Sequence, residues 1–81
     1  GLDDPVGFSV YTYRVAVAVA QMAMALGGLG VLAFSGGVGE NRPDVRDEVA
    51  GRLRFLGEFS VVAVPAREEL VIAEAVRQLL G

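Results

Sequence analysis

Val31-Leu32-Ala33-Phe34-Ser35-Gly36-Gly37-Val38-Gly39-Glu40-Asn41-Arg42-Pro43 is the stretch whose reading decides the fold. Val31–Phe34 is a short apolar run of the kind that forms a buried strand. It passes into a glycine cluster and then into a helix opened by Pro43, whose missing N–H costs nothing at the first helical position. A strand, a glycine turn and a helix in that order bring the backbone to the carboxyl end of a strand, where open α/β sheets hold their ligands. The chain contains no histidine and no cysteine. Whatever function the sequence exposes is therefore read mainly from this segment.

Upstream, no breaker occurs from Phe8 to Leu26, and Ala, Met, Leu and Gln favour a helix there. The residues before it, 1–7, read as a turn-rich lead-in loop. Val15 to Phe34 is twenty residues with only Gln21 strongly polar, enough in length to cross a bilayer core. Gly27, Gly28 and Gly30 argue against one continuous span, because each costs about 1 kcal/mol inside a helix. The better reading ends the helix at Gly27, where a left-handed residue suits glycine, and begins the strand at Val31. After Arg14 this helix is apolar nearly all round, which predicts burial on more than one side.

Downstream, the sequence predicts a helix from about Pro43 to Phe55. Asp44, Asp47 and Glu48 crowd its first turns and Arg52 and Arg54 its end, as the helix dipole favours. Val45, Val49, Leu53 and Leu56 supply its apolar stripe. Ser60–Val64 reads as a second buried strand stopped by Pro65. A last helix spans about Arg67 to Leu80, with Leu70, Ala73, Val76 and Leu80 facing inward. The fold class is thus α/β, in the order helix–strand–helix–strand–helix with a parallel strand pair. Two strands cannot cover three helices, so a further sheet edge is expected from absent sequence or a second chain.

Composition narrows the function classes. The chain has 81 residues, of which 53% are hydrophobic, and its mean hydropathy is +0.50. A domain of this size buries only about 60% of its unfolded surface, so the apolar excess points to a fragment or to missing partner surface. Net charge is −3 and all 7 positive residues are arginine, none forming a basic stripe. A nucleic-acid partner is therefore not expected. The lack of cysteine excludes a disulfide framework and fits a cytoplasmic protein.

As a bare cluster, the glycines fit equally a ligand loop and a tight turn that needs positive φ. Glu68-Glu69 likewise has two readings. Acids in a first helical turn complement the dipole. The same pair, at the edge of the sheet that holds the glycine turn, could hold Mg²⁺ together with phosphates. Arg42 and Arg67 each follow a candidate loop and are either solvated or within reach of a phosphate. Tyr11 and Tyr13, two apart, do not share a helix face and read as packing residues.

Several ordered blocks together resemble the carboxyl-terminal part of the acetate kinase family. They are Tyr13-Arg14, Ala25-Leu26-Gly27-Gly28-Leu29, Phe34-Ser35-Gly36-Gly37-Val38-Gly39-Glu40-Asn41, Val45-Arg46, Phe55-Leu56-Gly57, and Val64-Pro65-Ala66-Arg67-Glu68-Glu69-Leu70-Val71-Ile72-Ala73. The resemblance implies a ribonuclease H-like lobe of the actin/hexokinase/acetate kinase kind, with residues 8–81 a partial nucleotide-binding lobe. It implies Mg²⁺-dependent reversible phosphoryl transfer between ATP and acetate, giving ADP and acetyl phosphate. On the family pattern Gly37, Val38, Gly39, Glu40 and Asn41 line the adenine nucleotide site and Glu68 is the magnesium position. It also implies a homodimer through this lobe, or packing against the remainder of the same polypeptide.

Arg42 stands where the family has Ser and Ala66 where it has Thr, each change costing about 1 kcal/mol of capping. The stretch between Gly57 and Val61 is much shorter than the family's. The family's phosphoryl-stabilising residues lie outside these blocks, so no catalytic residue is assigned and the chain alone is expected to be inactive. No acceptor-pocket residue separates acetate from propionate. A rival reading is a non-catalytic remnant or dimerisation module of the same fold, and a third is a small membrane-anchored protein.

Overall fold

The computed structural model describes residues 1–65 and the strand Leu70–Glu74. Helix α1 runs Pro5–Leu26, strand β1 Val31–Ser35, a short helix α2 Gly36–Asn41 and helix α3 Pro43–Arg52. A 3₁₀ turn Arg54–Leu56, strand β2 Ser60–Ala63 and strand β3 Leu70–Glu74 follow.

The start of α1 lies earlier than the sequence suggests, within the expected lead-in loop. Asp4 caps it by accepting the Val6 N–H, and Pro5 takes the first helical position. Its end falls where glycine predicts it. Gly27 is left-handed at φ 83°. Gly28 N–H donates to the Ala23 carbonyl at 2.8 Å and Gly27 N–H to that of Met24 at 3.4 Å. These two bonds form a Schellman motif, which satisfies carbonyls the helix itself leaves unpaired.

Thr12, Ala16, Val19 and Ala23 recur every three or four residues on α1 and are buried. They meet Leu32 and Phe34 of β1 and Val45, Val49 and Leu53 from the α3 region in one apolar core. Leu32 and Val49 have no exposed surface at all. Each such fully buried side chain is worth about 1.5–3 kcal/mol in transfer from water. Thr12 fits this core because its hydroxyl donates to the Phe8 carbonyl at 2.8 Å, so no polar group is stranded. Among the described residues, however, one side of α1 is covered. Val10, Tyr13, Val17 and Met24 are exposed, so the expected burial on more than one side would need surface beyond the described residues.

The predicted helix over Pro43–Phe55 divides in two. After Arg52 the chain tightens into the 3₁₀ turn, and Gly57 at φ 99° releases it towards β2. The parallel pair is present, with Val31 opposite Ser60 and Phe34 opposite Ala63. β2 is an edge strand rather than a buried one: three of its four residues are exposed.

The main correction concerns the expected last helix over Arg67–Leu80. Leu70–Glu74 is a strand that pairs antiparallel with β1, from Val31 opposite Glu74 to Ser35 opposite Leu70. The sheet order is β2-β1-β3, so its third strand comes from the chain itself and the sheet is mixed. The physical reason is the free edge of β1: buried N–H and C=O groups must find partners, and the β-branched pair Val71-Ile72 suits a strand. The helical spacing of Leu70, Ala73, Val76 and Leu80 misled because spacing within one segment carries no information about the strand edge that β1 offers it.

Candidate functional site

The glycine segment leaves the carboxyl end of β1, as the sequence places it, but it is a short helix rather than an open loop. Each of its glycines has a different physical reason. Gly36 is buried and has φ 88°, a conformation that side chains strongly disfavour. Gly39 is also buried: a Cβ there would stand 3.1 Å from the Phe34 Cβ and 3.2 Å from the Phe34 carbonyl carbon. The close approach of α2 to β1 therefore needs Gly39. Gly37 is exposed, and nothing lies within 4 Å of where its Cβ would be. Of these three backbone positions it is the one open to a ligand.

Val38 turns back and packs against the core. Glu40 is half-buried and Asn41 exposed at the end of α2. The carbonyls of that end are satisfied one by one. Val38 O accepts the Arg42 N–H at 3.0 Å. Gly39 O and Glu40 O accept Nη1 of Arg46 at 2.5 and 3.1 Å. Sequence reasoning gave Arg46 no such role. The signal was present, since a cation in the first turns of α3 sits at the wrong end of that helix's dipole.

Arg42, a candidate for reaching a phosphate, is engaged elsewhere. Its Nε and Nη2 donate to the two carboxylate oxygens of Asp44 at 3.0 and 2.9 Å, and Nη1 lies 3.7 Å from Asp3. The bidentate hydrogen bond from Arg42 holds the Asp44 carboxyl below the usual carboxylate range. The same bond raises the Arg42 guanidinium. Arg52 ties α3 to α1: Nη2 donates to Ser9 Oγ at 3.3 Å, and the guanidinium stands 5.8 Å from the centre of the Tyr13 ring. Its Nε lies 3.3 Å from Glu48 Oε2 without the alignment of a hydrogen bond. Tyr11 packs against the core while Tyr13 is exposed.

Glu68, the candidate magnesium ligand, lies outside the described residues, as do Glu69 and Arg67. Among the described residues no three acidic, histidine or cysteine side chains converge to hold a metal ion. No helix among them is long and apolar enough to cross a membrane. A groove of about 710 Å³ is lined by Val17, Ala20, Met24 and Phe55 among others and by no residue of α2. It marks uncovered apolar surface rather than the glycine site. Beneath Gly39 is only a void of about 10 Å³, too small for a ligand.

Residues 3–64 match the model of the Acetokinase family. Acetate kinase 1 of Neisseria meningitidis is 33% identical over 96 residues, a match covering 89% of this chain and 24% of that protein. Acetate kinase of Rickettsia prowazekii is 29% identical over 98 residues, covering 96% of this chain and 26% of that protein. Acetate kinase of Pseudothermotoga lettingae is 31% identical over 93 residues, covering 88% and 23% respectively. The chain thus spans about a quarter of the length of these curated relatives. Each match runs over more residues than this 81-residue chain has, so the relatives carry residues within the aligned span that this chain lacks. No solved structure matches the chain.

Proposed function

The chain belongs to the acetokinase family, and on that basis we propose that it is the nucleotide-side part of a phosphotransferase with a carboxylate acceptor. The family match, which includes all of α2, carries this reading. Gly37, Val38, Gly39, Glu40 and Asn41 form the adenine nucleotide site, with the exposed backbone at Gly37 the point of closest approach. The geometry divides the labour: Gly36 and Gly39 shape the turn and seat it on Phe34, which leaves Gly37 and the polar Glu40 and Asn41 to meet the ligand.

The reaction is the reversible transfer of a phosphoryl group between ATP and acetate. Among the described residues no three acidic side chains converge on one point. Magnesium in such a reaction takes one or two carboxylates and otherwise phosphate oxygens and water. Glu68 would be the residue to hold the ion, which when bound would supply charge neutralisation on the phosphates. What this chain's own residues do is bind and orient the nucleotide. The chain has no histidine, and of its described arginines Arg42, Arg46 and Arg52 are hydrogen-bonded to neighbouring groups. On the family reading, the residues that stabilise the transferring phosphoryl group belong to a longer cytoplasmic polypeptide or assembly, and this chain supplies the nucleotide side.

The test is titration of the chain with Mg-ADP, followed by amide chemical shifts. The expected result is a response centred on residues 37–41. A response confined to other elements, or none at millimolar nucleotide, would sink the assignment. Hydroxamate trapping of acetyl phosphate from ATP and acetate should find no product from the chain alone.

A second reading, a dimerisation module without catalysis, is favoured by the exposed stripe Val10, Tyr13, Val17 and Met24 on α1. Sedimentation separates the two readings: a nucleotide-independent dimer that ignores Mg-ADP supports the module.

A further inference from the structure

We propose that Arg46 is a positioning residue for the nucleotide site, acting as a clasp that sets the carboxyl end of α2. The inference rests on the reading of Gly37–Asn41 as nucleotide-binding. Helix α2 has 6 residues, too few to be stable alone, because isolated helices need roughly 12–15 residues in water. Its geometry must be imposed from both ends. At the amino end the left-handed Gly36 and the Gly39–Phe34 contact fix it to β1. At the carboxyl end Arg42 N–H takes the Val38 carbonyl, and the next two carbonyls accept from Arg46, the first of them having a proline without an N–H at the position four residues on. One nitrogen of its guanidinium donates to both, at 2.5 Å to Gly39 O and 3.1 Å to Glu40 O.

The location of Arg46 supports this role over a local one. It lies in the early part of α3, where the dipole favours acids and disfavours a cation. A positive charge there works against α3 and for α2, whose negative end it faces. Charge-assisted hydrogen bonds are the stronger kind, and here they bridge six or seven residues of sequence. Because the guanidinium is turned onto backbone carbonyls, Arg46 acts through the placement of Glu40 and Asn41 and not by touching a phosphate.

The test uses Arg46→Ala and Arg46→Lys in this chain, with amide hydrogen exchange and Mg-ADP titration read in parallel. Arg46→Ala should speed exchange over residues 38–42 by at least about tenfold, the factor expected from losing a charged hydrogen bond, with β1 and α1 little changed. It should weaken Mg-ADP binding by a similar factor. Arg46→Lys, which offers one ammonium to the same carbonyls, should fall between wild type and Ala in both. Arg46→Lys also keeps the test decisive if the Ala variant does not fold. Unchanged exchange at residues 38–42 overturns the clasp. Faster exchange with unchanged Mg-ADP affinity overturns the positioning role while leaving the clasp. If wild-type chain shows no response to Mg-ADP at residues 37–41, the nucleotide reading itself is overturned, and the positioning role with it. The exchange data then still report the clasp separately.

Discussion

Gly39 lies against Phe34 so closely that a Cβ would stand 3.1 Å from the Phe34 Cβ and 3.2 Å from its carbonyl carbon. A flexible side-chain tip could yield at that distance, but these atoms belong to the root of a core residue with 2% exposure. Gly39→Ala should therefore destabilise the chain by about 1–3 kcal/mol through overpacking. Urea unfolding of the variant beside the wild type measures it, and an unchanged midpoint would show that α2 shifts freely.

Gly36→Ala should also destabilise, by about 1–2 kcal/mol, because it forces a side chain into the left-handed region. Gly37→Ala should instead be neutral or stabilising, by up to about 1 kcal/mol, since it meets open space and stiffens the unfolded chain. Three neighbouring glycines with two signs of effect form a pattern that a uniformly flexible loop would not produce. The same unfolding experiment, run on all three, decides it.

Nucleotide binding should separate the glycines differently. Gly37→Val should weaken Mg-ADP binding while leaving the unfolding midpoint within about 0.5 kcal/mol of wild type, as exposed substitutions usually do. Calorimetric titration provides the affinity. If Gly37→Val binds Mg-ADP like the wild type, the nucleotide does not approach this backbone. Gly39→Val cannot serve for this purpose, because its clash with Phe34 would lower affinity through misfolding alone.

How much of this was legible in advance depended on how local each signal was. Gly27 ending α1, Pro43 opening α3 and the stripe Val45, Val49 and Leu53 are local cues, and each stands where it was read. The roles of the individual glycines were not legible, since a glycine letter carries neither a φ value nor the identity of its neighbour. Strand β3 was missed because its partner, β1, lies some forty residues away in sequence, while Leu70, Ala73, Val76 and Leu80 have helical spacing nearby. Glu68 stays an expectation carried by the family pattern alone.

Acid should act on the Arg42–Asp44 pair in a known direction. The Asp44 carboxyl is held below its ordinary value, so its contribution is present above the unfolded carboxylate pKa of about 3.9. It is lost as pH falls through the lower folded value. Both groups are solvent-accessible, so the effect should be small and should shrink in high salt. A carbon-detected titration of Asp44 should give a midpoint below that of Asp44 in an Arg42→Ala variant. Equal midpoints would show that the bidentate bond does not persist in solution.

The core should respond far more strongly than the bare face of α1. Leu32→Ala, at a position with no exposure, should cost about 2–5 kcal/mol, enough to unfold much of so small a chain. Met24→Ala, at 78% exposure, should change stability by less than about 0.5 kcal/mol if that face is solvated. A larger loss at Met24 that grows with protein concentration would show that copies associate through it.

The register of β1 has a consequence for biosynthesis. Val31 pairs with Ser60 on one side and Glu74 on the other, so the ribosome delivers the central strand well before either partner. Over that interval β1 has α1, α2 and α3 of this chain to pack against, but neither of the strands that pair with its backbone. Nascent chains in that state depend on chaperones or on slow elongation to avoid sticking to one another. The order of emergence makes the distance from Val31 to Glu74 a vulnerability in time as well as a feature of shape.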